Sequence, residues 1–230
     1  MLKLKLSTFS CSQPQHFRIG FQKINSAAIA LLIGISLLLT AAPATAHHAL
    51  GGETPSSFLE GFLSGIAHPV IGLDHFAFVV AVGLLAALKR RGVFIPVAFV
   101  LAALIGTGIH LISLDLPGAE LVISASVLAF GVMLAMKDSP KLVVIVVVAA
   151  TLGIFHGYAY GESIVGAEMT PLVAYLAGFT LIQLLVAMIA YGIGKFVLNK
   201  LTDQSSLPLR FAGFTICGAG AAFLASLMFG

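Results

Sequence analysis

The segment HPVIGLDH brings two imidazoles and one carboxylate together at the start of a long apolar stretch. His68 opens the segment, and Asp74 and His75 close it, so the three groups lie within eight residues. An ionisable side chain at membrane depth costs roughly 2.5–3.5 kcal/mol on insertion scales, so such groups need partners. Neutral imidazole binds nickel, cobalt, zinc or copper, and carboxylates add oxygen ligands. The residue types therefore indicate reversible binding of a divalent transition metal.

An unbroken helix would keep the two histidines of this segment apart. Seven residues correspond to about 10 Å along a helix axis, whereas one ion holds each imidazole nitrogen at about 2 Å. Pro69 lacks a backbone donor and restricts the residue before it, and Gly72 follows three residues later. Irregular backbone is tolerated in a membrane where it lines a cavity. We therefore expect a bend at His68 that returns its imidazole to Asp74 and His75.

Further ionisable residues recur at the same ends of the apolar stretches, where no lysine or arginine could neutralise them. His110 ends the second stretch, Glu120 opens the third, and His156 and Glu162 lie at the end of the fourth. A travelling dication would supply the missing countercharge. The predicted metal ligands are His68, Asp74, His75, Glu120 and His156, and the predicted accessory ligands are His47, His48, His110 and Glu162.

His156 lies in the segment IFHGYAYGE, among three glycines at a spacing of four residues. Gly153, Gly157 and Gly161 would share one helix face, and small residues at this spacing let two helices pack closely. The glycines therefore have a structural interpretation of their own. We expect them to press His156 against a neighbouring helix, namely the first span.

The composition predicts the scaffold that must position these residues. The chain has 230 residues, of which 59% are hydrophobic and 9% charged, against about 25% charged in a soluble domain. The apolar runs are about as long as a helix needs to cross a bilayer. These features indicate an all-α, polytopic membrane helix bundle. The six predicted spans are Val70–Leu88, Val93–Ser113, Ala119–Met136, Leu142–Ala159, Pro171–Gly194 and Phe211–Met228.

Basic residues predict how these spans are oriented. All the Lys and Arg residues after position 46 fall in three of the connections, namely Lys89, Arg90, Arg91, Lys137, Lys141, Lys195, Lys200 and Arg210. The positive-inside rule places these connections in the cytoplasm. The histidines and most acids then lie on the outer half, with both mature termini outside. We expect a bacterial-type inner (plasma) membrane.

The first 46 residues have the features of a secretory signal peptide. A basic region, Met1–Lys23, precedes the apolar run Ala27–Thr40 and the small-residue motif Ala44–Ala46. We predict cleavage after Ala46, which leaves residues 47–230 as a single transmembrane domain; an uncleaved first helix is the alternative. Cleavage would expose His47 and His48, which could chelate an ion together with the free α-amine.

Cleavage also changes what charge and cysteine content imply. The mature chain keeps eight of twelve Lys and Arg and all nine Asp and Glu, a formal net charge of −1, so nothing favours nucleic acid as a partner. Cys11 would leave with the signal and only Cys217 would remain, which excludes an intrachain disulfide and a cysteine metal cluster. Whether the protein forms a homo-oligomer stays open.

Two motifs resemble a known family. HPVIGLDHFAFVVAVG is similar to the HPxxGxDH signature of the HupE/UreJ family of secondary nickel and cobalt transporters, and FHGYAYGE resembles its later Phe-His-Gly motif. Glu120 matches an acidic position that opens the family's third span. The resemblance covers essentially the whole mature chain. It implies nickel or cobalt uptake, with no permanent cofactor and with His68, Asp74, His75, Glu120 and His156 as the essential residues.

The chain departs from the family pattern at three positions. Val79 replaces an expected methionine, and Tyr158 and Tyr160 occupy places that are often histidine. These replacements reduce the number of soft and nitrogen ligands, so the choice between nickel and cobalt stays open.

The sequence also limits the mechanism. It lacks the phosphate-binding motif GxxxxGK[ST], so uptake would not use ATP by that route. Thr180 and Gln183 form a polar pair in the fifth span, interpreted as interhelical hydrogen-bonding groups, and the exit route is not apparent. Two other classes stay open: an integral-membrane metalloenzyme and a non-transporting assembly subunit.

Overall fold

The computed structural model describes residues 54–200 and 206–229, all within one compact unit, Leu38–Gly230. The signal peptide, its cleavage after Ala46, and the capture site at His47 and His48 lie outside the described residues, so these stay predictions.

Helices account for nearly all of the described structure, and neither described range contains a strand. The all-α prediction is therefore confirmed. The helices are α1 Phe58–Ile71, α2 Leu73–Ala87, α3 Phe94–Leu111, α4 Ala119–Ala135, α5 Leu142–Glu162, α6 Met169–Lys200 and α7 Leu207–Phe229.

Helix α1 was not predicted, and it carries His68 and Pro69 within its last turn. The segment is broken, as predicted from Pro69 and Gly72, but the bend does not lie at His68. A capping signal at the helix start could have revealed the helix: the Glu60 N–H donates to the Ser57 side chain at 3.2 Å, and the Ser56 N–H donates to the Glu60 carboxylate at 2.8 Å. Such serine–glutamate pairs satisfy the first backbone donors of a helix.

The break falls instead at Gly72, between α1 and α2. Gly72 is extended, with φ −69° and ψ 97°, and its N–H donates to the His68 carbonyl at 3.0 Å. The two helix axes differ by 79°. A Cβ atom at Gly72 would lie 2.7 Å from Cδ2 of His75, so the absence of a side chain lets the histidine ring fold against the break.

Several helices have the length and apolarity of membrane spans. In the described ranges four helices qualify, namely α3, α5, α6 and α7, and the bent pair α1–α2 raises the number to five if it counts as one span. Helix α4 is apolar but has only 17 residues. Many large apolar side chains on the flanks are exposed, among them Leu101 at 57% and Val143 at 71%. The protein is thus an integral membrane protein.

Helix α2 lies at the centre of the bundle and contacts α1, α3, α4, α6 and α7. The most extensive pairings are α3 with α5, α4 with α7, and α1 with α6. Glycines allow the close approach in each of these pairs. A Cβ at Gly157 would collide with the backbone of Ala103 in α3, and one at Gly65 would collide with the carbonyl of Tyr175 in α6.

The two ends of the bundle differ in chemistry. At one end, which we call the basic end, the Lys89 ammonium donates to the Ser139 carbonyl at 3.1 Å, and Lys195 donates to the Lys89 carbonyl at 3.3 Å. Three basic connections therefore meet there. Partial burial lowers the pKa of the Lys89 ammonium. The group still donates its hydrogen bond to the Ser139 carbonyl. The histidine-bearing ends of α1, α3 and α5 lie at the opposite end.

Candidate metal site

A cavity of about 320 Å³ opens at the end of the bundle opposite the basic end. It collects the polar side chains that the sequence analysis singled out from five helices or their ends. The His, Asp and Glu side chains that line it are His68, Asp74, His75, His110, Glu120 and Glu162. Four predicted ligands and two predicted accessory ligands therefore line the same cavity.

His68 and His75 are the most deeply buried ionisable side chains that line this cavity. Each is only 3% exposed, and their ring centroids lie 5.8 Å apart. The break at Gly72 produces this approach, because the 79° turn points the last turn of α1 toward the first turn of α2. The expected juxtaposition occurs, although a helix end rather than an irregular bend carries His68.

Hydrogen bonds from two other helix segments orient the His68 ring. Its Nδ1 lies 2.7 Å from the Ser163 hydroxyl and 3.2 Å from the Tyr175 hydroxyl. The Tyr175 O–H donates to the Tyr160 carbonyl at 2.8 Å. The two hydroxyls therefore hold the Nδ1 edge of the His68 ring against α5 and α6.

His156 lies behind the cavity rather than in its wall. It is 0% exposed, and its Nδ1 lies 2.7 Å from Nδ1 of His75. The cavity and His156 are thus two successive layers, and His75 belongs to both. The sequence analysis placed His156 with the other ligands but could not separate these layers.

Ser126 determines which nitrogen of His156 faces His75. The Ser126 hydroxyl donates to the Ile123 carbonyl at 2.5 Å and lies 2.9 Å from Nε2 of His156. Because its hydrogen is committed to the carbonyl, the serine oxygen accepts Nε2–H. The lone pair of neutral His156 is therefore on Nδ1, directed at His75. Ser126 was not predicted; a buried serine in an apolar helix is a weak signal of such a role.

The two Nδ1 atoms are at hydrogen-bond distance, so one ring donates its N–H to the lone pair of the other. With the lone pair of His156 on Nδ1, His75 is the donor. Ligand nitrogens must be free of hydrogen, so an ion would bind this pair only by displacing the shared hydrogen.

The three carboxylates that line the cavity differ in how deeply they are buried. The Asp74 side chain is half-buried and accepts the His75 N–H at 2.8 Å, while Glu120 and Glu162 are exposed. Gly118, with φ +72°, precedes α4 and turns the chain so that Glu120 lies in the first helical turn. A left-handed backbone of this kind is readily accessible to glycine.

A second aromatic contact lies at the side of the cavity. The His110 and Tyr158 rings have centroids 4.5 Å apart, and the Tyr158 hydroxyl donates to Asp115 at 3.3 Å. His110 thus belongs to a small polar cluster at one side of the cavity.

Within the described ranges, no three His, Cys, Asp or Glu side chains are close enough to form a complete metal-binding group.

The glycines around His156 and the His156 ring contact different helices. Gly153 and Gly157 pack against α3, at Phe99 and Ala103, and Gly161 packs against His110. The imidazole of His156 reaches α2, where it contacts His75 and Phe78. The expected contact of His156 with the first predicted span is therefore present, while the glycines pack closely against the second.

An aromatic layer lies beyond His156, toward the basic end. The Phe78 ring stacks on His156 with centroids 4.4 Å apart and contacts Phe99 at 5.3 Å and Phe130 at 4.6 Å. All three phenylalanines are 0% exposed. Gln183 also departs from expectation. Its amide donates to the Phe179 carbonyl within its own helix at 3.1 Å, and the described helices offer it no interhelical hydrogen bond.

Comparisons with known proteins agree with the resemblance drawn from the two motifs. The sequence matches the family model described as HupE / UreJ protein over residues 35–223. Protein HupE of Rhizobium leguminosarum bv. viciae is 29% identical over 194 residues, which cover 84% of this chain and 96% of that protein. No solved structure matches this chain. The family is a transporter family and not an enzyme family, as predicted. The chain therefore belongs to the HupE/UreJ family of nickel/cobalt transport-associated membrane proteins.

Proposed function

We propose that this protein carries a divalent transition metal, nickel or cobalt, across a membrane without ATP. The observation that supports this most directly is the convergence of the cavity on the His75–His156 pair. Six His, Asp and Glu side chains line the cavity, and Nδ1 of one of them, His75, lies 2.7 Å from Nδ1 of His156 behind it. The ion is substrate in this proposal, and no permanent cofactor is required.

The ligand types support nickel or cobalt as the substrate. Imidazole nitrogens with carboxylate oxygens and without thiolate suit a borderline divalent ion that is bound reversibly. His68, Asp74 and Glu120 would add nitrogen and oxygen ligands along the approach to the pair. We propose that the cavity residues hold a partly hydrated ion first, and that His75 passes it to His156.

The charge distribution supports a direction of movement. We propose six spans, with the 17-residue α4 as the shortest and with the basic end in the cytoplasm of a bacterial-type cell. The cavity then opens outward, and both mature termini lie outside. A membrane potential of 100 mV contributes roughly 2.3 kcal/mol per charge, so a dication entering the cell gains about twice that value.

The aromatic layer would close the inner side in this conformation. Phe78, Phe99 and Phe130 separate the histidine pair from the basic end, and an ion cannot cross such an apolar layer without losing its ligands. Transport in this proposal therefore requires a second conformation, in which the three rings separate. The absence of an ionisable relay in this layer is consistent with a gate rather than a continuous channel.

Metal accumulation in cells tests the proposal. Cells that express the wild type, Asp74→Asn or His75→Ala at matched membrane levels are incubated with Ni²⁺ or Co²⁺, and cell-associated metal is measured. Asp74→Asn removes charge but keeps an oxygen that can accept the His75 N–H. We expect both variants to fall to background, whereas the exposed Glu168→Gln variant retains uptake. Unchanged uptake in both site variants would exclude this site, and wild-type cells without uptake would favour a non-transporting assembly role.

A further inference from the structure

Tyr160 carries a polar group that the fold leaves unsatisfied. The side chain is 0% exposed, and its hydroxyl has no hydrogen-bond partner among residues 54–200 and 206–229. Buried polar atoms in native proteins are nearly always paired, and a bound water or ion is a common explanation when a protein partner is missing. Since burying an unpaired hydroxyl costs stability, its retention beside the proposed site calls for a ligand.

The surroundings of Tyr160 place it at the histidine pair. Its ring centroid lies 5.1 Å from that of His68 and 4.6 Å from that of His75. It follows His156 by four residues on α5, so the two side chains occupy neighbouring positions on one helix face. Tyr160 therefore lies beside His68 and His75, one helical turn from His156.

The position of Tyr160 is firmly fixed. Its carbonyl accepts the Tyr175 hydroxyl at 2.8 Å, and its ring contacts Phe179 with centroids 5.5 Å apart. These contacts fix the backbone and the ring, so the hydroxyl stays buried beside His68 and His75. It is therefore preorganised for a ligand that binds at these histidines.

We infer that Tyr160 is a specificity-determining residue for the transported ion. Its hydroxyl donates to an oxygen ligand, either a retained water or the Asp74 carboxylate, of a dication held by His75 and His156. This inference rests on the proposed function, because it assigns a role at the same site. It implies a mixed nitrogen and oxygen ligand set and an ion that enters the occluded position without losing all its water.

Removal of the hydroxyl should affect the metal-free and metal-bound proteins in opposite directions. Tyr160→Phe deletes an unpaired buried oxygen, so the melting temperature of the metal-free protein should stay constant or rise. Affinity for Ni²⁺ and Co²⁺ should fall about tenfold, since a hydrogen bond within a charged complex is lost. A purely structural tyrosine would give a lower melting temperature and unchanged affinity.

A second variant tests specificity. Tyr160→His replaces a phenol with a nitrogen donor, and nitrogen ligands increase the preference for nickel over cobalt. We expect the ratio of cobalt to nickel dissociation constants to rise about threefold or more. The visible absorption spectrum of bound Co²⁺ should also change, because the ligand field gains a nitrogen.

The full chain is purified in detergent and titrated with Ni²⁺ and with Co²⁺ in separate experiments. The melting temperature is measured in the absence of metal. Tyr191→Phe serves as the matched control, since Tyr191 lies near the basic end beside Lys195. Unchanged affinity and an unchanged Co²⁺ spectrum in both Tyr160 variants would overturn the inference. Uptake is measured in parallel: a wild type that binds metal but does not transport it would refute the proposed function alone, while the binding data still decide the role of Tyr160.

Discussion

Nδ1 of His75 and Nδ1 of His156 lie 2.7 Å apart, although 81 residues separate the two histidines in the chain. One ring comes from the first turn of α2 and the other from the last two turns of α5. Both are almost fully buried, at 3% and 0% exposure. The pair connects the cavity to the aromatic layer, so we expect it to be the most sensitive part of the protein.

The two histidines should behave as one unit. His75→Ala and His156→Ala should each reduce Ni²⁺ affinity about 100-fold, and the double variant should be little worse than either, because one imidazole alone cannot form the two-ligand site. Isothermal titration of the purified proteins measures these affinities. Additive losses would show that the two rings bind independently.

Ser126 should matter through His156. Ser126→Ala removes the acceptor of the Nε2 hydrogen, so the imidazole loses its fixed orientation, and metal affinity should fall about tenfold or more, as for other residues that orient metal ligands. Ser124→Ala is the matched control, since Ser124 lies in the same helix and is similarly buried, at 5% exposure. Equal effects of the two substitutions in the same titration would contradict the proposed orientation.

Gly72→Ala should displace His75 without unfolding the bundle. The backbone at φ −69° is open to any residue, but the added Cβ would lie 2.7 Å from the histidine ring. We expect metal affinity to fall about tenfold, with a melting temperature close to that of the wild type. Both quantities are measured on purified protein. Wild-type affinity would mean that the ring position at the break is unimportant.

Gly157 should be required for stability. A Cβ there would overlap the backbone of Ala103, so Gly157→Ala should destabilise the protein by about 1–3 kcal/mol through overpacking. Gly108 provides the contrast, because a Cβ there meets nothing within 4 Å, and alanine in an exposed helix position is favoured over glycine by about 0.5–1 kcal/mol. Thermal unfolding in detergent should therefore separate the two variants in opposite directions.

The orientation can be tested by labelling. In a chain whose two native cysteines are replaced, a cysteine at the exposed Glu168 should react with a membrane-impermeant maleimide added to intact cells. A cysteine at the exposed Asp138 should react only after the membrane is permeabilised. The reverse pattern would place the basic end outside and contradict the assignment from the positive-inside rule.

The sequence by itself determined the membrane scaffold and most of the polar side chains that share one cavity. A low charge content and long apolar runs allow few folds other than a helix bundle. His, Asp and Glu residues recur at alternate helix ends along the chain, which predicts that these residues lie at the same end of the bundle. His68, Asp74, His75 and Glu120 do line one cavity. Such predictions succeed because they depend on helix direction and polarity alone, which are local properties of the chain.

Only the tertiary structure decided how the site is layered. The sequence predicted a break from Pro69 and Gly72 but assigned the bend to His68. It did not separate the helix that the α5 glycines contact from the helix that His156 contacts. It gave no role to Ser126 and noted Tyr160 only as a departure from the family pattern. These features depend on helix rotation and on which faces pack together. The rotation of each helix is fixed by many small contacts with helices that are distant in sequence. When helices are apolar on nearly every face, their hydrophobic periodicity carries little information about that rotation.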